Sequence, residues 1–223
     1  MGKIAMSELE EQLRAARLRL SAAIKALAPK HKGGELEEYR VAQEAVYEAE
    51  RAVAATNGEE YALQIEMPAW ETGAPLPHLL QNDNRTTVIY ILSDKESYLD
   101  PPNEDVQGAS GAPEWLGVVS FEGCVCSKMG TPNDEVFDGH RLWGKGFVPY
   151  EAMIVENSAW IRELEKINSV HRQYRSERWQ QLHHYILPFH DCTFECVANG
   201  FKAKKLFKGL PQLLWELSGG LPL

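Results

Sequence analysis

The sequence predicts an α+β protein: an N-terminal antiparallel helical hairpin over residues 1–58, then a domain with a mostly antiparallel sheet over residues 59–223. Two observations lead there. Apolar residues recur at steps of three and four through two N-terminal segments of similar length. Beyond residue 59 the pattern becomes short β-branched and aromatic runs, separated by Pro- and Gly-rich loops and without regular helical crossovers.

The first helix is expected after a capping box, Ser7 with Glu10. Leu9, Leu13, Ala16, Leu20, Ile24 and Leu27 make its stripe, and Pro29 ends it. The second carries Tyr39, Ala42, Val46, Ala49 and Val53 and stops at Thr56-Asn57-Gly58. A short connection between stripes of equal length favours antiparallel packing. Strands are expected over 61–67, 86–92, 115–126 and 150–155, and loops over 70–84 and 94–113. A further irregular stretch is expected over 129–146. Ser158 should cap a helix containing Trp160, Ile161, Leu164 and Ile167. A short helix follows over 176–182. A hairpin over 185–189 and 194–198 should turn at His190-Asp191-Cys192-Thr193, with Asp191 accepting from turn N–H groups. Pro211 opens a last helix that Gly219 closes.

Composition narrows the class. Apolar residues make up 44% of 223 and aromatics 9%, enough for a substantial core. No apolar run reaches the ~20 residues of a membrane span, and the charged N-terminus has no secretory apolar stretch. The expectation is a cytoplasmic chain without membrane contact, whose four cysteines stay reduced. Net charge is −9. Residues 1–58 hold nine basic and nine acidic side chains, so the excess lies beyond them. Ten carboxylates fall between residues 94 and 138, against Lys95 and Lys128. Such a stretch repels phosphates, so no nucleic-acid partner is expected there. The run Lys202, Lys204, Lys205 and Lys208 reads as a solvated face.

The densest group of reactive side chains is His183, His184, His190, Asp191, Cys192, Glu195 and Cys196. On one continuous strand His190, Cys192 and Cys196 would share a face. They could then meet Cys124 and Cys126, with His184 as a further donor. Imidazole and thiolate are metal ligands, but the spacing matches neither paired CxxC motifs nor HExxH. No metal or other cofactor is therefore assigned. Cys192 with His190, or Cys126 with His140, could form a nucleophile–base pair. Nothing in the sequence around either thiol would activate it. Gly144-Lys145-Gly146-Phe147 lacks the order of a phosphate loop and reads as a turn.

Three blocks stand out: Pro132-Asn133-Asp134-Glu135 with Gly139-His140; Asn157-Ser158-Ala159-Trp160-Ile161; and Phe189-His190-Asp191-Cys192-Thr193-Phe194-Glu195. In them the chain resembles a set of bacterial proteins of uncharacterised function, over residues 115–198. The resemblance carries no activity, cofactor or catalytic residue.

The functional expectation is a non-enzymatic binding or regulatory protein of inhibitor or immunity type. Its basic protein partner would meet Asp100, Glu104, Asp105, Trp115, Asp134, Glu135 and Asp138, with Tyr98, Phe137 and Trp143 as interspersed aromatics. The hairpin would cover the main domain or pair with a second copy. The alternative is a metal-dependent or Cys/His hydrolase. It would use the block 183–196, with His190, Asp191, Cys192, Glu195 or His140 as catalytic groups.

Overall fold

The computed structural model describes residues 6–27, 33–93 and 113–219. Tyr98, Asp100, Glu104 and Asp105 lie outside the described residues. In chain order the elements are helices α1 (Met6–Ala26) and α2 (Gly33–Thr56) and strands β1 (Tyr61–Gln64), β2 (His78–Asn82), β3 (Arg85–Ile91), β4 (Glu114–Glu122) and β5 (Cys126–Gly130). A 3-10 turn (Asp134–Gly139), β6 (Met153–Glu156), α3 (Ala159–Asn168) and α4 (Ser176–Trp179) follow. Then come β7 (His183–Pro188), β8 (Thr193–Ala198), β9 (Gly200–Lys208) and α5 (Leu210–Leu217). The fold is α+β. Among the described residues no helix is long and apolar enough to cross a membrane.

The chain forms two compact units. One takes the chain up to Leu63 together with Asp138–Val148 and Val155–Ala159; the other takes the rest. The first unit thus gathers two later segments with the hairpin.

In the first unit α1 and α2 pack as an antiparallel pair, since Arg17 meets Glu50 while Arg19, further along α1, meets the earlier Glu38. α1 is already helical at Met6, so Ser7 lies within its first turn rather than ahead of it. Its covered row runs Leu9, Leu13, Ala16, Leu20, Ala23 and Leu27. Ile24, expected in that row, is 53% exposed, and Ala23 takes its place. On α2, Ala42, Val46 and Ala54 are buried, and so is the carboxylate Glu50. Glu50 answers Arg17 at 3.2 Å and accepts from the Gly146 N–H at 3.4 Å. The stretch at Gly144 and Gly146 is a turn, as expected. Gly146 has φ +81, and a Cβ there would come within 2.6 Å of Ala62 O and 2.5 Å of Arg51 Cγ. Only glycine fits.

The second unit is layered. One sheet has the order β2-β3-β4-β9, every pair antiparallel. Strands β7, β8 and β5 are neighbours, in that order, in a second sheet. Side-chain alternation builds the layers. Val88, Tyr90, Val119 and Phe121 of the first sheet share a core with Tyr185, Leu187, Phe194 and Cys196 of the second. Trp70 and Phe189 close it, with ring centroids 4.7 Å apart. The other face of the first sheet, with Ile89, Leu116 and Val118, meets Leu213 of α5.

Two strands differ from the sequence reading. β2 falls in an expected loop, and β9 carries the lysine run that read as a solvated face. Both are edges of their sheet. The expected strand 115–126 is broken at Gly123, where the chain turns from β4 into β5.

Candidate functional site

The hairpin of β7 and β8 organises the reactive residues, and it does so by alternation. Odd positions of β7 and even positions of β8 enter the aromatic core, so His184 and Glu195 point to the opposite face. Register sets who meets there. Glu195 pairs directly with Lys128 of β5 and with Ile186 of β7, which puts His184 one diagonal step away.

The result is a buried polar chain. His184 Nε2 lies 2.8 Å from Glu195 Oε2, and Lys128 Nζ lies 2.9 Å from Glu195 Oε1. His184 and Glu195 are buried, whereas the Lys128 side chain is 54% exposed and reaches in from solvent. Trp160 of α3 covers the group. Its ring stands edge-on to His184 at 5.0 Å, and the Lys128 ammonium lies 4.8 Å from its centroid. The fully engaged carboxylate makes this chain a structural tie.

At the hairpin tip His190 sits between carboxylates. The expected single strand through His190 and Cys196 does not form. β7 ends at Pro188, Phe189 N–H donates to Cys192 O at 2.8 Å, and β8 begins at Thr193. Asp191 does not cap the turn backbone as expected. Its Oδ1 accepts from His190 Nδ1 at 2.9 Å. His190 Nε2 lies 3.6 Å from Asp134 Oδ2, a charge contact rather than a hydrogen bond. The Asp191 hydrogen bond raises the His190 pKa most, desolvation opposes it, and the charges of Asp134, Asp191 and Glu135 add to the rise.

The two sequence blocks at this tip are stitched by backbone. Asp134 N–H donates to His190 O at 2.9 Å, and the Thr193 hydroxyl donates to Pro132 O at 2.8 Å. Asp134 also accepts from the Tyr150 hydroxyl at 2.5 Å, which pushes the Tyr150 pKa up to about 12. Tyr150 holds φ 62, a left-handed conformation uncommon for a residue with a side chain.

The thiols differ in burial. Cys196 is fully buried in the aromatic core, and burial pushes its pKa well up. Cys124, on the turn between β4 and β5, is held down to about 6 by a hydrogen bond from Cys196 and a weaker one from Thr86, against burial. Burial raises both Cys126 and Cys192. Cys192 packs against the core. The two pairings weighed from sequence fare differently. Cys192 and His190 share a turn, but the His190 ring is taken by Asp191. His140 belongs to the first unit and Cys126 to the second. The His140 ring stacks on Phe147 at 4.9 Å, and its Nδ1 accepts from Leu142 N–H at 3.3 Å.

Among the described residues no group of three or more His, Cys, Asp or Glu side chains is placed to hold a metal ion. Strand alternation puts His184 and Cys196 on opposite faces of one sheet and the turn takes His190 out of line, while Cys124 and Cys196 stay in hydrogen-bond contact. Of the proposed partner-binding residues, Glu135 and Asp138 are exposed and Asp134 is tied to Tyr150. Trp115 stacks on Phe207 at 5.4 Å, so it serves sheet packing. Phe137 is buried, and Trp143 is 47% exposed.

The sequence reading missed Lys128 as the partner of Glu195 and Tyr150 as the partner of Asp134. Neither had a local signal, since each pairing spans a strand register or a returning loop. No family model, no curated protein and no solved structure matches this chain.

Proposed function

We propose that the chain is a non-enzymatic binding or regulatory protein that takes a basic protein partner on its acidic stretch, residues 94–138. The observation that carries this reading is the 3-10 turn at the end of that stretch. Phe137 is buried, and Asp134 is fixed by Tyr150, so the turn is anchored from within. It turns outward Glu135 and Val136, the latter 51% exposed, and Asp138 is exposed next to the anchor. An apolar side chain flanked by carboxylates on a fixed turn suits a cationic surface: charge steers the encounter and the apolar contact slows dissociation. An inhibitor or immunity-type protein facing a cationic target works in this way. The reading assumes a reducing compartment, and the four cysteines are free thiols.

The test is association with cationic proteins fished from the cell that makes the chain, measured as salt rises. Binding should weaken with salt, mainly through a slower on-rate, and the triple change Asp100→Lys, Glu104→Lys, Asp105→Lys should do the same. Glu135→Lys should weaken it further. A partner whose binding ignores salt and all four substitutions would end this reading.

Self-association through the hairpin belongs to the same reading. Leu18 and Ile24 of α1 and Leu36 and Val41 of α2 are exposed apolar side chains. Steps of six and five place them on different sides of their helices, so a dimer contact would use only part of them. Sedimentation of the wild type beside Leu18→Glu checks it.

The rival reading, a Cys/His hydrolase, has Cys124 on its side, since a thiol near 6 is largely thiolate at neutral pH. Its partners are Cys196, Thr86 and the Cys126 carbonyl rather than an imidazole. Alkylation rate against pH, compared between wild type and Cys124→Ser, decides whether this thiol is reactive.

A further inference from the structure

A cleft of 510 Å³ opens where the residues after α3, the short helix α4 and the β4–β5 turn come together. We propose that it binds a small phosphorylated compound with a planar ring, of the size of a nucleoside monophosphate. The volume lies within the range of ligand pockets.

Charge is the first argument. The chain carries −9 overall, yet this lining holds Arg175, Arg178 and His171 and no carboxylate. Elsewhere the arginines Arg17, Arg19, Arg51 and Arg141 each meet a Glu. Among the described residues neither Arg175 nor Arg178 has an ion pair of its own. Two guanidinium forks on one cleft match the geometry of a phosphate oxyanion.

Donor direction is the second. His171 Nδ1 accepts from the Gln173 N–H at 3.1 Å. A neutral ring bonded this way carries its proton on Nε2, leaving that nitrogen a donor. The Glu165 carboxylate is engaged by a residue of the lining: it accepts from the Tyr174 hydroxyl at 2.6 Å.

Shape is the third. Trp179 is half-buried and lines the cleft, offering a flat apolar wall for a ring. Another part of the lining is preset by backbone. Asn199 N–H donates to Glu122 O at 2.9 Å, and the Asn199 amide lies against Gly123. The far side is a run of tight turns, with His171 N–H to Asn168 O at 3.0 Å and Tyr174 N–H to His171 O at 2.9 Å. The same cleft therefore offers an oxyanion two guanidinium groups and a ring an aromatic wall.

Calorimetric titration of the full chain with adenosine monophosphate, adenosine and inorganic phosphate tests this. The monophosphate should bind, and both fragments should bind at least about tenfold more weakly, because each keeps only one of the two contacts. Arg175→Gln with Arg178→Gln should lower monophosphate affinity about tenfold or more, the scale of a lost charged hydrogen-bonding pair, without shifting the melting temperature. Trp179→Ala should weaken the monophosphate and adenosine alike. Lys202→Gln with Lys204→Gln, on β9, should leave binding unchanged. No binding of the monophosphate, equal binding of the monophosphate and phosphate, indifference to the arginine pair, or loss through the β9 lysines would each overturn the proposal.

Discussion

His184 and His190 stand six residues apart on one hairpin, each within 2.9 Å of a carboxylate oxygen, and they live by different physics. The His184 side chain is 0% exposed and its Glu195 partner 5%; for His190 and Asp191 the values are 40% and 80%. In the buried pair each group depends on the other, because water cannot replace a lost partner. In the exposed pair water stands ready, and the contact is worth little. The same residue types at nearly the same distance are thus a structural tie in one place and a surface feature in the other.

The largest effect should come from breaking the buried tie. Glu195→Ala leaves His184 without its carboxylate inside the protein and should cost about 3 kcal/mol, on the scale of breaking a buried pair. Urea unfolding measures it; a loss below about 1 kcal/mol would place Glu195 among the surface pairs. Lys128→Met keeps the stem over Trp160 and removes the charge. Since Lys128 is half in solvent, its loss should be near 1 kcal/mol, measured the same way.

Asp191→Ala should cost less than about 0.5 kcal/mol, because the ring it accepts from is exposed. A cost near that of Glu195→Ala would erase the contrast between the two histidines. The remaining effects are on titration. Asp134→Asn removes the negative charge of the acceptor that holds the Tyr150 proton, so Tyr150 should titrate below about 12, nearer an ordinary tyrosine, when followed by ultraviolet absorbance. His190 has a raised pKa when folded. The folded state then binds the proton more tightly than the unfolded one. Its stabilising contribution is present below the ordinary histidine pKa and fades as pH rises through the raised value. His190→Gln should therefore lower the melting temperature slightly at mildly acidic pH and leave it unchanged at pH well above that range.

Much of the fold was legible because its signals are local. The two helical stripes, the apolar strand β3 and the aromatic hairpin β7–β8 each declare a period within a dozen residues. The edge strands did not. β9 bears Lys202, Lys204 and Lys205 along an edge, where charge wards off further strands, and so it read as mere surface. β2 is short and half-polar for the same reason. The site was less legible than the fold. Lys128 and Glu195 lie far apart in sequence, and only antiparallel register brings them face to face. The turn at His190 breaks the single strand that would have put His190, Cys192 and Cys196 on one face.

The alternation along β8 has a consequence for how faithfully the protein assembles. Phe194 and Cys196 sit in the aromatic core, with Glu195 between them facing Lys128 and His184. A slip of one residue against β7 and β5 would drive the Glu195 carboxylate among Phe121, Tyr185 and Leu187 and strip Lys128 and His184 of their partner. Either error is expensive alone, and a slip makes both together. The buried carboxylate therefore acts as an indexing pin: it adds little to the attraction between strands, but it makes every neighbouring alignment untenable while the sheet zips up.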